Sequence, residues 1–89
     1  MPEELMAAGE GRLLPESAER LNKKLLIVDD DAAVVEALSR TLKKAGYTRI
    51  DAAGGGAEAL TRIRSDKPDL ILLDVRLPDM SGYEVIDLL

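Results

Sequence analysis

Two stretches of the chain end an apolar run in carboxylates. Residues 24–31 read KLLIVDDD, and residues 69–82 read DLILLDVRLPDMSG. Asp29, Asp30 and Asp31 close the first run, and Asp74 closes the second, with Arg76, Pro78 and Gly82 in the segment beyond it. Grouped carboxylates repel one another. A hard divalent cation such as Mg2+ relieves that repulsion, using one or two carboxylates with waters and phosphate oxygens as ligands. A carboxylate neutralised in this way at a strand end can attack a phosphoryl group and become an aspartyl phosphate. Taken singly, each acid has a plainer use: Asp74 can end a strand and solvate its exit, and Asp30 or Asp31 can cap a helix. The choice depends on whether the fold brings the two runs together.

The elements that must position these acids can be read from periodicity. Leu70 to Leu73 are four apolar residues between turn signals, too few for a helix, which predicts a short strand buried on both faces. Residues 24–28 repeat the pattern. Residues 32–45 place Val35, Leu38, Leu42 and Ala45 on one helical face, with Lys43 and Lys44 at the negative end and Gly46 as the stop. Residues 47–52 read as a short strand of mixed polarity, suited to a sheet edge. Gly54-Gly55-Gly56 opens a second helix over about residues 56–65, with Ala59, Leu60 and Ile63 inward, and residues 65–68 break it. A third helix begins near Ser81 and Gly82 and takes in residues 83–89.

The order β-α-β-α-β-α implies a parallel sheet with helices on its faces. Parallel crossovers are right-handed, so helices can cover both faces only if the chain steps in opposite directions after the first strand. That gives the spatial order 2-1-3. Strands one and three become neighbours, and Asp29, Asp30 and Asp74 come together at their C-terminal ends, the place where open α/β sheets bind ligands.

The rest of the composition narrows the function classes. At 89 residues there is room for one small domain, and without His or Cys there can be no disulfide and no Cys/His metal site. A net charge of −5 argues against direct nucleic-acid binding by this segment. No apolar run reaches membrane-spanning length, and the N-terminus carries acids where a signal peptide carries bases, so no membrane partner and a cytoplasmic location are expected. Residues 1–22 differ in composition and read as a leader or linker, with a short helix possible over residues 15–22 behind Pro15. The triple glycine lacks the Lys-Ser/Thr of a phosphate-binding loop and the spacing of a dinucleotide fingerprint, and reads as a turn and helix opening. Arg62, Arg64 and Lys67 read as a solvated helix face.

Residues 23–89 resemble the first half of a response-regulator receiver domain, the phosphoacceptor module of two-component signalling. LLIVDDD, AGGGAEAL at 53–60 and PDLILLDVRLPDMSG at 68–82 carry the resemblance, in order and at the right separations. The resemblance implies a flavodoxin-like parallel sheet, truncated here to the 2-1-3 part of 2-1-3-4-5. It implies that Asp74 is the phosphorylated aspartate. Asp30 is then a direct Mg2+ ligand, Asp29 acts mainly through water, and the backbone carbonyl of Arg76 is a further ligand. Pro78 and Gly82 match the residues that shape the loop after the phosphoacceptor. The Arg76 side chain matches a variable position near the phosphoryl group, where it would tune that group's lifetime. The implied partner is a histidine kinase or a phosphotransfer protein, and the chain is not an enzyme beyond self-catalysed phosphoryl transfer.

The second half of a receiver has no counterpart here, including its phosphoryl-contacting Ser/Thr and Lys and its switch aromatic. The third strand is then expected to be an open sheet edge, completed by a second copy or by the missing half. A non-catalytic fragment that acts by self-association or partner binding is the alternative function. A haloacid-dehalogenase type of phosphohydrolase, suggested by Asp29-Asp30-Asp31, fits poorly because Ala32 and Ala33 follow the acids and no later motif appears.

Overall fold

The computed structural model describes residues 22–89, and nearly all of the expected 1–22 leader, with its possible helix, lies outside them. Strand β1 is Lys24–Val28, helix α1 Ala32–Lys44, strand β2 Arg49–Ala53, helix α2 Gly56–Asp66, strand β3 Leu70–Leu73 and helix α3 Gly82–Asp87. The strands form one parallel sheet in the order β2-β1-β3, the arrangement right-handed crossovers require when helices cover both faces. Lys24 pairs with Arg49 and Val28 with Ala53 on one side of β1; Leu25 pairs with Leu70 and Val28 with Leu73 on the other.

As the central strand, β1 takes the deepest burial, with Leu25, Leu26, Ile27 and Val28 all nearly or fully enclosed. Strand alternation divides them between two faces. Leu26 and Val28 join Ala53 and Ala59 in a core packed by Ile63, Ile71, Leu73 and Leu77. Leu25 and Ile27 point to the opposite face, where α1 lies against β1. The inward stripe of α1, Val35, Leu38, Leu42 and Ala45, is half-buried, and no residue of this helix is fully covered.

Two expectations need correction. β3 is not buried on both faces: Leu70 is exposed and residues 71–73 are half-buried, because β3 lies at the sheet edge while β1 holds the centre. The second strand starts at Arg49 rather than at Tyr47. Tyr47 belongs to the end of α1, where its N–H donates to Leu42 O and the Gly46 N–H donates to Lys43 O, the paired bonds of a Schellman cap. Gly46 has the positive φ of 106° that this cap requires, which is why glycine stands there.

Candidate functional site

Asp31 is the N-cap of α1, its Oδ1 accepting from the Ala33 N–H at 2.9 Å. Helix capping therefore accounts for Asp31 and not for Asp29 or Asp30. Both stand just past the end of β1. Asp74 stands just past β3, beside them. The sheet ladder runs on through these positions, since Asp29 N–H donates to Ala53 O at 3.0 Å and Asp74 N–H donates to Val28 O at 2.9 Å. The backbone of both residues is thus tied to a neighbouring strand. Asp29 and Asp74 are half-buried, and Asp30 is exposed.

One carboxylate oxygen from each of Asp29, Asp30 and Asp74 lies within 4.8 Å of the others. Asp29 Oδ1 also accepts from the Asp31 N–H at 2.9 Å, and Asp74 Oδ1 accepts from the Arg76 N–H at 3.1 Å, so local turns orient both side chains. A set of hard oxygen donors at this separation, open to solvent on one side, suits a cation such as Mg2+ that keeps part of its water. Glu36, Val35 and Gly54 flank a shallow concavity beside Asp29 and Asp30.

The loop residues expected from the sequence all lie in the segment between β3 and α3. Arg76 is exposed two residues beyond Asp74 and forms an antiparallel bridge with Ser81. Pro78 is exposed at the turn. Gly82 is buried, and its N–H donates to Val75 O at 2.8 Å, closing the neck of the loop. Ser81 and Glu84 cap α3 reciprocally: Ser81 Oγ accepts from the Glu84 N–H and Glu84 Oε1 accepts from the Ser81 N–H. The basic face of α2 is partly engaged, with Arg62 against Glu58 at 3.4 Å and Asp51 at 3.9 Å. Lys67 forms the left-handed cap of α2 at φ 50°, ahead of Pro68.

One loop contact escaped the sequence reading. Both oxygens of Asp79 accept from the first amides of α2, those of Gly56 at 2.7 Å and Ala57 at 2.9 Å. No local pattern joins residues so far apart. The available signal was a helix opening on three glycines: with no capping side chain of its own, its first N–H groups needed an acceptor from elsewhere.

Comparison with known proteins agrees with this fold. The model of the response regulator receiver domain family matches residues 25–89. Over 65 residues the chain is 48% identical to the alkaline phosphatase synthesis transcriptional regulatory protein PhoP of Bacillus subtilis, covering 73% of this chain and 27% of that protein. Among solved structures it resembles chemotaxis response regulator CheY4 of Vibrio cholerae, with a TM-score of 0.70 and 36% identity over 74% of this chain and 54% of the other. It also resembles the response regulator TrrA of Thermotoga maritima in complex with Mg2+-BeF, with a TM-score of 0.69 and 42% identity over 73% of this chain and 56% of the other. The chain thus spans about half the length of these solved receivers and about a quarter of the curated regulator.

Proposed function

The chain belongs to the response regulator receiver domain family of two-component systems, and from that premise we propose that Asp74 accepts a phosphoryl group with Mg2+ held at the acidic cluster. The observation that carries this reading is the convergence of Asp29, Asp30 and Asp74 within 4.8 Å, at the carboxyl ends of two adjacent parallel strands. Asp30 and Asp74 would hold the ion directly, Asp29 mainly through water, and the Arg76 carbonyl would complete the protein ligands. The bound ion supplies positive charge against the repulsion between the acids and the incoming phosphoryl oxygens.

The donor is a histidine kinase or a phosphotransfer protein carrying phosphohistidine. A carboxylate oxygen of Asp74 attacks phosphorus, an O–P bond forms, and the P–N bond breaks. The imidazole leaves with that electron pair and takes up a proton. The Arg76 N–H, already on Asp74 Oδ1, holds the carboxylate in place for attack. The exposed Arg76 side chain tunes the lifetime of the adduct, and an Arg76→Ala chain with an unchanged dephosphorylation rate would sink that assignment. These steps suit a cytoplasmic signalling protein, and among the described residues no helix is long and apolar enough to cross a membrane.

The test is incubation of the purified chain with acetyl phosphate and Mg2+, followed by intact mass beside an Asp74→Ala control. A single phosphoryl adduct, absent from the control, is the expected result. No adduct on a folded chain overturns the reading.

A second reading has its own support. β3 is an edge strand, and Leu70, Val75, Ile86 and Leu88 are exposed on and beyond it. Such an edge favours association with a second copy or with the remainder of a receiver, without phosphorylation. A monodisperse monomer by light scattering would remove it.

A further inference from the structure

Gly55 and Gly56 have a use beyond turn formation. α2 opens on Gly55 with no side chain to meet its first amides, and the carboxylate of Asp79 meets them across the loop, one oxygen to each of Gly56 N and Ala57 N. The negative charge stands at the positive end of the helix dipole. These bonds, that from Gly56 first, hold the Asp79 carboxyl below its ordinary value. The glycines also leave the space. A Cβ on Gly55 would stand 3.0 Å from Asp79 Oδ1, and one on Gly56 would overlap the Met80 side chain. Gly55 and Gly56 are therefore the seat on which the Asp79-Met80 tip rests.

The same loop is closed at its neck by the Arg76–Ser81 bridge and by the bond from Gly82 N–H to Val75 O. With neck and tip both fixed, the intervening chain has little freedom. Its neck leads directly out of Asp74.

We propose that Asp79 is a positioning residue for the acidic site: seated on α2, it fixes the loop that carries Arg76, and so sets where the Arg76 carbonyl stands relative to Asp29, Asp30 and Asp74. This rests on the function proposed above in taking that carbonyl as a metal ligand. Asp79 itself touches neither the ion nor the phosphoryl group.

The test compares the full chain as wild type, Asp79→Ala, Asp79→Asn and Glu58→Gln by amide NMR during Mg2+ titration. Glu58→Gln is the control: it disturbs the bond from Gly54 N–H to Glu58 at the same end of α2 without touching the loop. The expected result is that Asp79→Ala raises the half-saturating Mg2+ concentration about tenfold, as loss of an outer partner of a metal site does. Asp79→Asn, which keeps one carbonyl oxygen, falls between, and Glu58→Gln matches wild type. Unchanged Mg2+ affinity in Asp79→Ala, or an equal loss in Glu58→Gln, overturns the proposal. A wild-type chain with no Mg2+ response is instead a failure of the function proposed above. The positioning role is then decided in metal-free protein: the Arg76 and Gly82 amide signals move in Asp79→Ala if the clamp holds the loop, and their staying in place overturns it.

Discussion

Gly82 lies directly against the carbonyl of Asp74: a Cβ at this position would stand 2.6 Å from the Asp74 oxygen and 3.0 Å from the Val75 Cα. Both are backbone atoms of the segment that carries the acid, so they cannot rotate away. Gly82→Ala is expected to cost about 1–3 kcal/mol, the usual cost of forcing atoms into packed space. It should also lower the yield of the Asp74 adduct, because relief of the overlap displaces the segment. Urea unfolding and intact mass after acetyl phosphate check both effects, and a wild-type midpoint with wild-type yield would refute the assignment.

The enclosed centre of β1 sets the stability of the whole. Leu26 is 2% exposed and packs among Val28, Ala53 and Ala59. Leu26→Ala is expected to cost about 2–5 kcal/mol. A core of this size rarely supplies more than about 3–5 kcal/mol, so loss of helical circular dichroism at room temperature is the predicted readout. A cooperative transition at the wild-type midpoint would contradict this account of the core.

Removal of the cation should separate binding from folding. Chelation of Mg2+ by EDTA is expected to abolish phosphoryl transfer from acetyl phosphate while circular dichroism stays unchanged, since β1 and β3 are held by the sheet. Asp30→Asn should raise the Mg2+ requirement by at least the roughly tenfold that even an outer partner of a metal site is worth. Equal adduct formation with and without chelator would exclude the metal role.

Among the described residues, acid sensitivity has two identifiable sources. Glu58 is held below its ordinary 4.5, chiefly by the Gly54 N–H and then by Arg62. Asp79 is held below its ordinary 3.8 by the Gly56 and Ala57 N–H groups. A lowered value in the folded state means stability that is complete above the unfolded value and is lost as pH falls through the folded one. Stability is therefore predicted to fall below about pH 4.5 through Glu58 and below about pH 3.8 through Asp79. Urea midpoints followed from neutral pH downward should decline less steeply in Glu58→Gln and Asp79→Asn than in wild type, and parallel curves would count against both attributions.

The features legible in sequence were those that rest on neighbours in the chain. Periodicity located the strands and helices, and Gly46 and the two lysines before it marked the end of α1. The handedness of crossovers was enough to bring Asp29, Asp30 and Asp74 together. Tyr47 was misplaced because a Schellman cap and a strand start use similar residues, and only the bond back to Leu42 separates them. The burial of β3 was overstated because four apolar residues report a buried environment without saying which side of a sheet supplies it. The Asp79 clamp was hidden for a different reason: it joins a loop tip to a helix opening more than twenty residues earlier, where no periodic signal reaches.

The ladder bonds at Asp29 and Asp74 give the acidic site a ruler. Adjacent strands in any sheet lie about 4.7–4.9 Å apart, and that step separates the backbone of Asp29, past the end of β1, from that of Asp74, past the end of β3. Main-chain pairing, which every residue type shares, thus fixes where the backbones of Asp29 and Asp74 stand, and local turns then orient their carboxylates. The backbone step between these acids is therefore expected to survive rewriting of the outer faces of α1 and α2. A change that slips the register of β1 against β3 would carry Asp74 away from Asp29 and Asp30.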